Sequence, residues 1–185
     1  MKNNICLMLI AAVLIGFFSC SSPGKNTAAD STSLQNASAK QAIDTADTRL
    51  ANDLSIFCTS QVQAAQLAQA KASTQKVKKF AKENEEIYKK LDVSLNRISE
   101  NYMVSLPAPS SATATKNIQD LKAIKGASLD HAYLLQMLKD HNRMIREINA
   151  AKHIQCVPVK MFVVSYQSTI IRQAYALSDL KEQTP

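Results

Sequence analysis

Glycine is scarce in this chain: there are three in 185 residues, and only Gly126 lies beyond Gly24. Tight hairpin turns and phosphate-cradling loops rely on glycine for positive φ and close backbone approach. No P-loop or dinucleotide-binding fingerprint can be written here, and a sheet-rich fold lacks its turn residues. Histidine is equally rare, with only His131, His141 and His153. Neither a Gly-x-Ser-x-Gly elbow nor a Cys–His constellation is present, so the common nucleophilic hydrolases are excluded. Of four cysteines, Cys6 and Cys20 fall in the first twenty residues, which leaves Cys58 and Cys156 for the folded part.

What is present begins with a leader. Lys2 precedes an apolar stretch from Ile5 to Phe18, followed by Ser19 and Cys20. The stretch has the length of a signal-peptide core and falls short of the ~20 apolar residues of a membrane span. Phe17-Phe18-Ser19-Cys20 resembles a lipobox, with phenylalanine where leucine is usual; a plain secretory signal is the competing reading. Residues 1–19 are expected to be removed as a lipoprotein signal peptide, leaving Cys20 to carry fatty acyl chains such as palmitate. Each buried methylene contributes roughly 0.8 kcal/mol, so several chains hold the protein on the membrane. Residues 20–43, rich in Ser, Ala, Thr and Asn, read as a disordered, flexible tether with too little apolar surface to offset the entropy of ordering. Ser21-Ser22-Pro23-Gly24 carries no acidic surface-export signal. The expected location is therefore the bacterial cell envelope, on the outer membrane facing the periplasm.

The formal charge is +7, and loss of residues 1–19 removes only Lys2, giving +6. An exported lipoprotein meets no nucleic acid, so an anionic lipid or cell-wall polymer is the natural counterpart of this charge. The basic residues are interleaved with acids: Lys76, Lys78, Lys79, Lys82, Lys89 and Lys90 share a segment with Glu83, Glu85, Glu86 and Asp92. A solvated helix face accounts for that pattern.

Residues 44–185, about 140 in all, suffice for one domain with a single core. Helical periodicity dominates. The first helix is expected over 44–72, with Leu50, Leu54, Cys58, Gln61, Ala65 and Ala68 on one stripe. The second runs from Ser73 or Thr74 to Tyr102, its stripe including Val77, Phe80, Ala81, Asn84, Ile87, Tyr88, Leu91, Leu95 and Ile98. Met103 to Thr115, with Pro107 and Pro109, reads as a crossing loop, and Asn117 to Ile124 as one or two helical turns. Ser128 is the expected N-cap of the third long helix, which reaches His153, with Asp130 favourable to its dipole. The fourth starts near Val157 with Pro158 in its first turn and carries Val159, Phe162, Val163, Tyr166, Ile170, Ala174, Leu177 and Leu180 inward. Short connections near residues 73 and 154 make each helix pair antiparallel. Cys58 then sits mid-helix and Cys156 at an end, ~18 Å apart along the axis. That is beyond disulfide reach, so two free thiols are expected.

Leu129-Asp130-His131-Ala132-Tyr133-Leu134, followed by Met137 and Asp140-His141, resembles the third-helix signature of the domain of unknown function 4142 family. Leu67-Ala68, Lys71-Ala72-Ser73 and Val77-Lys78-Lys79-Phe80-Ala81 are similar to the junction of that family's first two helices. The resemblance implies an all-α, antiparallel, ferritin-like four-helix bundle of the outer membrane or periplasm. The chain departs from the family at several polar positions. Gln61 stands where a glutamate is usual, Ile87-Tyr88 replaces an Asp-His pair, and Ala174 replaces a histidine.

Folding the helices back on one another stacks Gln61, Asn84 or Tyr88, His141 and Ser168 or Thr169 into one polar layer. A ferritin-like metal site would occupy such a layer with carboxylates and Glu-x-x-His pairs. Here Asp140 and His141 are the only metal-ligand candidates, and a bound ion needs three or four ligands. Hydrogen-bonded amides and hydroxyls around a core histidine are the simpler reading. The expected function is a lipid-anchored, non-catalytic interaction or stress-related module without a cofactor. Its partners would be the membrane, through Cys20, and an envelope protein or anionic polymer. The alternative is a ferritin-like metal-binding or oxidoreductase protein using Asp140 and His141.

Overall fold

The computed structural model describes residues 45–102, 111–151 and 153–184. The expected signal peptide, lipidated Cys20, tether and Met103–Ser110 stretch lie outside the described residues. Five helices, and no strand among the described residues, make the fold all-α. They are α1 (Thr45–Lys71), α2 (Gln75–Tyr102), α3 (Ala112–Ala123), α4 (Ala127–Ala150) and α5 (Val157–Glu182). Among the described residues no helix is long and apolar enough to cross a membrane.

The four long helices correspond to the four stripes. Each packs mainly on two others, in the cyclic order α1, α2, α5, α4. Pairs of touching residues run in opposite directions along every neighbouring pair. Phe57 meets Tyr88 while Gln69 meets Glu85 across α1 and α2. Across α2 and α5, Ser94 meets Tyr166 while Lys76 meets Gln183. The helices are therefore antiparallel around the ring.

α3 corrects the sequence reading. It begins at Ala112, inside the stretch read as a loop, and runs for 12 residues. Ser111 caps it, its Oγ accepting from the Ala114 N–H at 3.0 Å. The first two turns, Ala112 to Asn117, are polar or small and show no periodicity. Ile118 and Leu121 alone are buried, and they hold the helix against α1 and α4. α4 also departs from expectation. Its N-cap is Gly126, at φ 64°, and not Ser128, which lies one residue inside the helix. It ends at Ala150, three residues before His153.

Two buried carboxylates tie the helix pairs together, and neither serves its own helix alone. Asp130 on α4 reaches the α1–α2 turn, where it accepts from Ser73 N–H at 2.7 Å, Ser73 Oγ at 3.0 Å and Thr74 N–H at 2.8 Å. Asp47 on α1 reaches the α4–α5 turn and accepts from the N–H groups of Gln155 at 2.8 Å and Cys156 at 2.6 Å. Each carboxylate thus meets the orphan amides and positive dipole end of a helix in the other pair. Cys58 and Cys156 are both free thiols, Cys58 fully buried.

Candidate functional site

The apolar core falls into two clusters, one toward each end of the long helices. On α1 the first holds Leu50 to Cys58 and the second Ala64 to Ala68, with Ala72 just past the helix end; α2, α4 and α5 divide the same way. The residues at the boundary are polar: Gln61 on α1, Asn84 on α2, His141 on α4 and Gln173 on α5, all buried. One polar layer therefore crosses the helices between the two clusters. Register places it there: four residues on from the Phe57–Tyr88 contact, in each direction, Gln61 lies opposite Asn84.

His141 is the organising group. Its Nδ1 lies 2.7 Å from the Met137 carbonyl oxygen, which can only accept, so Nδ1 carries the proton. Nε2 is then the acceptor for the Tyr88 hydroxyl, at 2.6 Å. Burial drives the His141 pKa down to about 4, against the opposing effect of the Met137 carbonyl, so the ring is neutral at pH 7. Phe57 stands edge-on to both rings, with centroids 5.2 Å from Tyr88 and from His141. Burial, and next the neighbouring Cys58 and Tyr133, push the Tyr88 phenol well above its ordinary value. The Cys58 thiol is pushed up likewise by burial and then by Asp92.

The rest of the layer is less well satisfied. Among the described residues, both side-chain polar atoms of Gln61 and of Asn84, the Tyr133 hydroxyl and Gln173 Oε1 have no hydrogen-bond partner. Asn84 lies beside the Tyr133 hydroxyl without reaching hydrogen-bond geometry. Ser168 is exposed and Thr169 half-buried, so α5 contributes Gln173 in place of the serine or threonine expected from sequence. Gln173 was not legible as an interior residue. An amide between Ile170, Ala174 and Leu177 breaks the apolar period and reads as surface.

Asp140 has different surroundings from its neighbour. It lines a 270 Å³ groove between α1, α3 and α4, together with Asp53, Ser60, Asn117 and Arg143. There it accepts from Gln136 Nε2 at 3.0 Å. Burial raises its pKa, partly offset by Gln136, Arg143 and Lys139. Phe57 and Met137 line the inner side of the groove, and Phe57 touches the His141 ring.

A ferritin-like metal layer requires facing carboxylates with Glu-x-x-His pairs. The residues here do not fit that group. Both His141 nitrogens are engaged, and an ion could reach Nε2 only by displacing the Tyr88 hydroxyl. Among the described residues, no three His, Cys, Asp or Glu side chains converge to hold an ion. Asp130, the other polar residue of the α4 signature, is committed to Ser73 and Thr74. Burial opposes its ionisation, but these hydrogen bonds prevail and hold its pKa below the usual carboxylate range.

The fold and interior define a class: an all-helical protein with a closed polar mid-layer around a Tyr–His pair. Residues 32–173 match the family described as Domain of unknown function (DUF4142), and the chain belongs to that family. No curated protein and no solved structure matches the chain.

Proposed function

We propose that this protein is a ferritin-like four-helix bundle, lipid-anchored through Cys20 on the periplasmic side of a bacterial outer membrane. It works by binding other envelope components and catalyses no reaction of its own. The observation that carries this reading is the sealed mid-layer. Tyr88 and His141 are fully buried and satisfy one another, so the one histidine at the bundle centre is spent on structure. The lipobox-like Phe17-Phe18-Ser19-Cys20 supports the anchor, and the cyclic antiparallel packing supports the bundle. The outer helical faces are then the working surfaces, with the membrane as one partner and an envelope protein or anionic polymer as another.

Two measurements test the two halves. Cells grown with labelled palmitate should yield labelled protein in the membrane fraction, and Cys20→Ala should lose the label. Unlabelled wild-type protein would overturn the anchor. Elemental mass spectrometry, after exposure to iron, zinc and manganese, should find no stoichiometric ion that depends on His141. A bound ion lost in His141→Ala would overturn the structural assignment of His141 and favour the metal-binding alternative.

A further inference from the structure

The outer face of α5 carries an apolar ridge that, among the described residues, no helix covers. Val157, Met161 and Val164 are 61%, 64% and 71% exposed, and Tyr175 continues the line at 70%. Steps of four and three residues keep Val157, Met161 and Val164 together on one side of the helix; exposed Ser168 then interrupts the line before half-buried Ile171 and exposed Tyr175. Beside the ridge runs a 290 Å³ groove lined by Ile98, Pro158, Phe162 and Tyr166, so the apolar surface broadens toward the start of α5. Isolated exposed apolar residues are ordinary, but a contiguous strip marks an interaction surface.

Charge identifies the occupant. From Ile148 to Ser178 the sequence has no acidic residue, while Lys160 and Arg172 stand exposed along the ridge. A second copy docked ridge to ridge would bring the cations of both copies together along the strip, with Asp179 at its far end the one carboxylate on that face to offset them. An apolar strip flanked by cations matches the interface of an anionic bilayer, into which such faces settle with their charges at the headgroups. Asp179 closes the strip at its far end, which points the opposite, N-terminal end toward the lipid.

Placement agrees with charge. Asp47 accepts from the N–H groups of Gln155 and Cys156, so the first turn of α1 lies beside the first turn of α5. The 44 residues that precede Thr45, including Cys20, therefore join the bundle at the end where the apolar ridge begins. We infer that α5 docks its Val157–Met161–Val164 face on the anionic lipid surface, laying the bundle on the membrane. The inference rests on the anchored reading above for its setting, and its test reads the face that meets lipid whether or not Cys20 is acylated.

The chain has no tryptophan, so a single introduced one is an unambiguous reporter. Met161→Trp is compared with Leu135→Trp, a half-exposed site on α4 and ~20 Å along that helix from Ile148. Both are made in the full chain and in its Cys20→Ala form, and mixed with vesicles of zwitterionic and anionic phospholipid carrying brominated acyl chains. In anionic vesicles, M161W is expected to shift to the blue and lose most of its emission, while L135W keeps its own. Lys160→Glu with Arg172→Glu should weaken this response by at least about fivefold per reversed charge. Equal quenching of M161W and L135W, or none at either site, would overturn the inference. A blue shift without lipid that grows with protein concentration would also overturn it, in favour of a second copy. If M161W is quenched in both forms while palmitate labelling fails, docking stands and the acyl anchor falls.

Discussion

Acid should strip stability from this protein by charging His141. The ring is buried and neutral, with a folded pKa of about 4 against 6.5 for the free side chain. The unfolded chain therefore binds its proton first as pH falls, and stability declines wherever the unfolded state holds more protons. The contribution is complete above about pH 6.5 and is lost progressively as pH falls toward 4. At 1.36 kcal/mol per pKa unit the loss is about 3 kcal/mol, most of it reached by pH 4.5. Asp92 and Asp140 work in the opposite sense, because burial raises their pKa values and the folded state takes up their protons first. Asp130 adds to the loss once the pH falls into the ordinary carboxylate range, because the unfolded chain takes up that proton before the hydrogen-bonded native carboxylate does. The assay is urea unfolding followed by far-UV circular dichroism at pH 7.5 and 4.5, at fixed ionic strength. His141→Gln supplies a non-titrating side chain that can still accept from Tyr88. His131 and His153 are common to both chains, so the difference isolates His141. The wild type should lose about 2 to 3 kcal/mol more than the variant between the two pH values. An equal loss in both would refute the reasoning.

Three further outcomes follow from the geometry. Asp130→Ala removes the acceptor of three hydrogen bonds at the α1–α2 turn, and the unfolding free energy should fall by about 2 to 4 kcal/mol, with Asp130→Asn intermediate; a change below half a kcal/mol would show the clamp to be idle. Asn84→Leu replaces a buried amide without hydrogen-bond partners, so thermal stability should hold or rise, and a fall of more than about 1 kcal/mol would mean that the amide is satisfied in solution. A thiol reagent should label Cys156, which is half-buried, and spare Cys58 in the native protein, since Cys58 is fully buried with its pKa raised; labelling of Cys58 on the same time scale would show that the interior opens.

The four long helices were legible because each carries its apolar residues at a sustained helical period. Gln61, Asn84 and His141 could be placed inside because they sit on those stripes. α3 was under-read because only Ile118 and Leu121 face inward, too few to set a period, and because its cap at Ser111 follows a proline-rich stretch. Gln173 was missed because nothing local separates a buried amide from an exposed one. By sequence alone Asp130 serves the dipole of its own helix, a short-range rule. Its partners lie 57 and 56 residues away in sequence, and those of Asp47 lie 108 and 109 away, so only the packed arrangement reveals them.

Those two carboxylates change what the surface turns can tolerate. Connections at the ends of a helical bundle are ordinarily the places where a chain accepts extra residues or altered sequence most easily. Here each turn presents its amides to an aspartate from the opposite pair. An added residue near Ser73 or Gln155 would therefore move a donor away from a buried charge fixed elsewhere in the fold. The turns are constrained as core positions are, and the freedom to vary passes to the long helical faces between them.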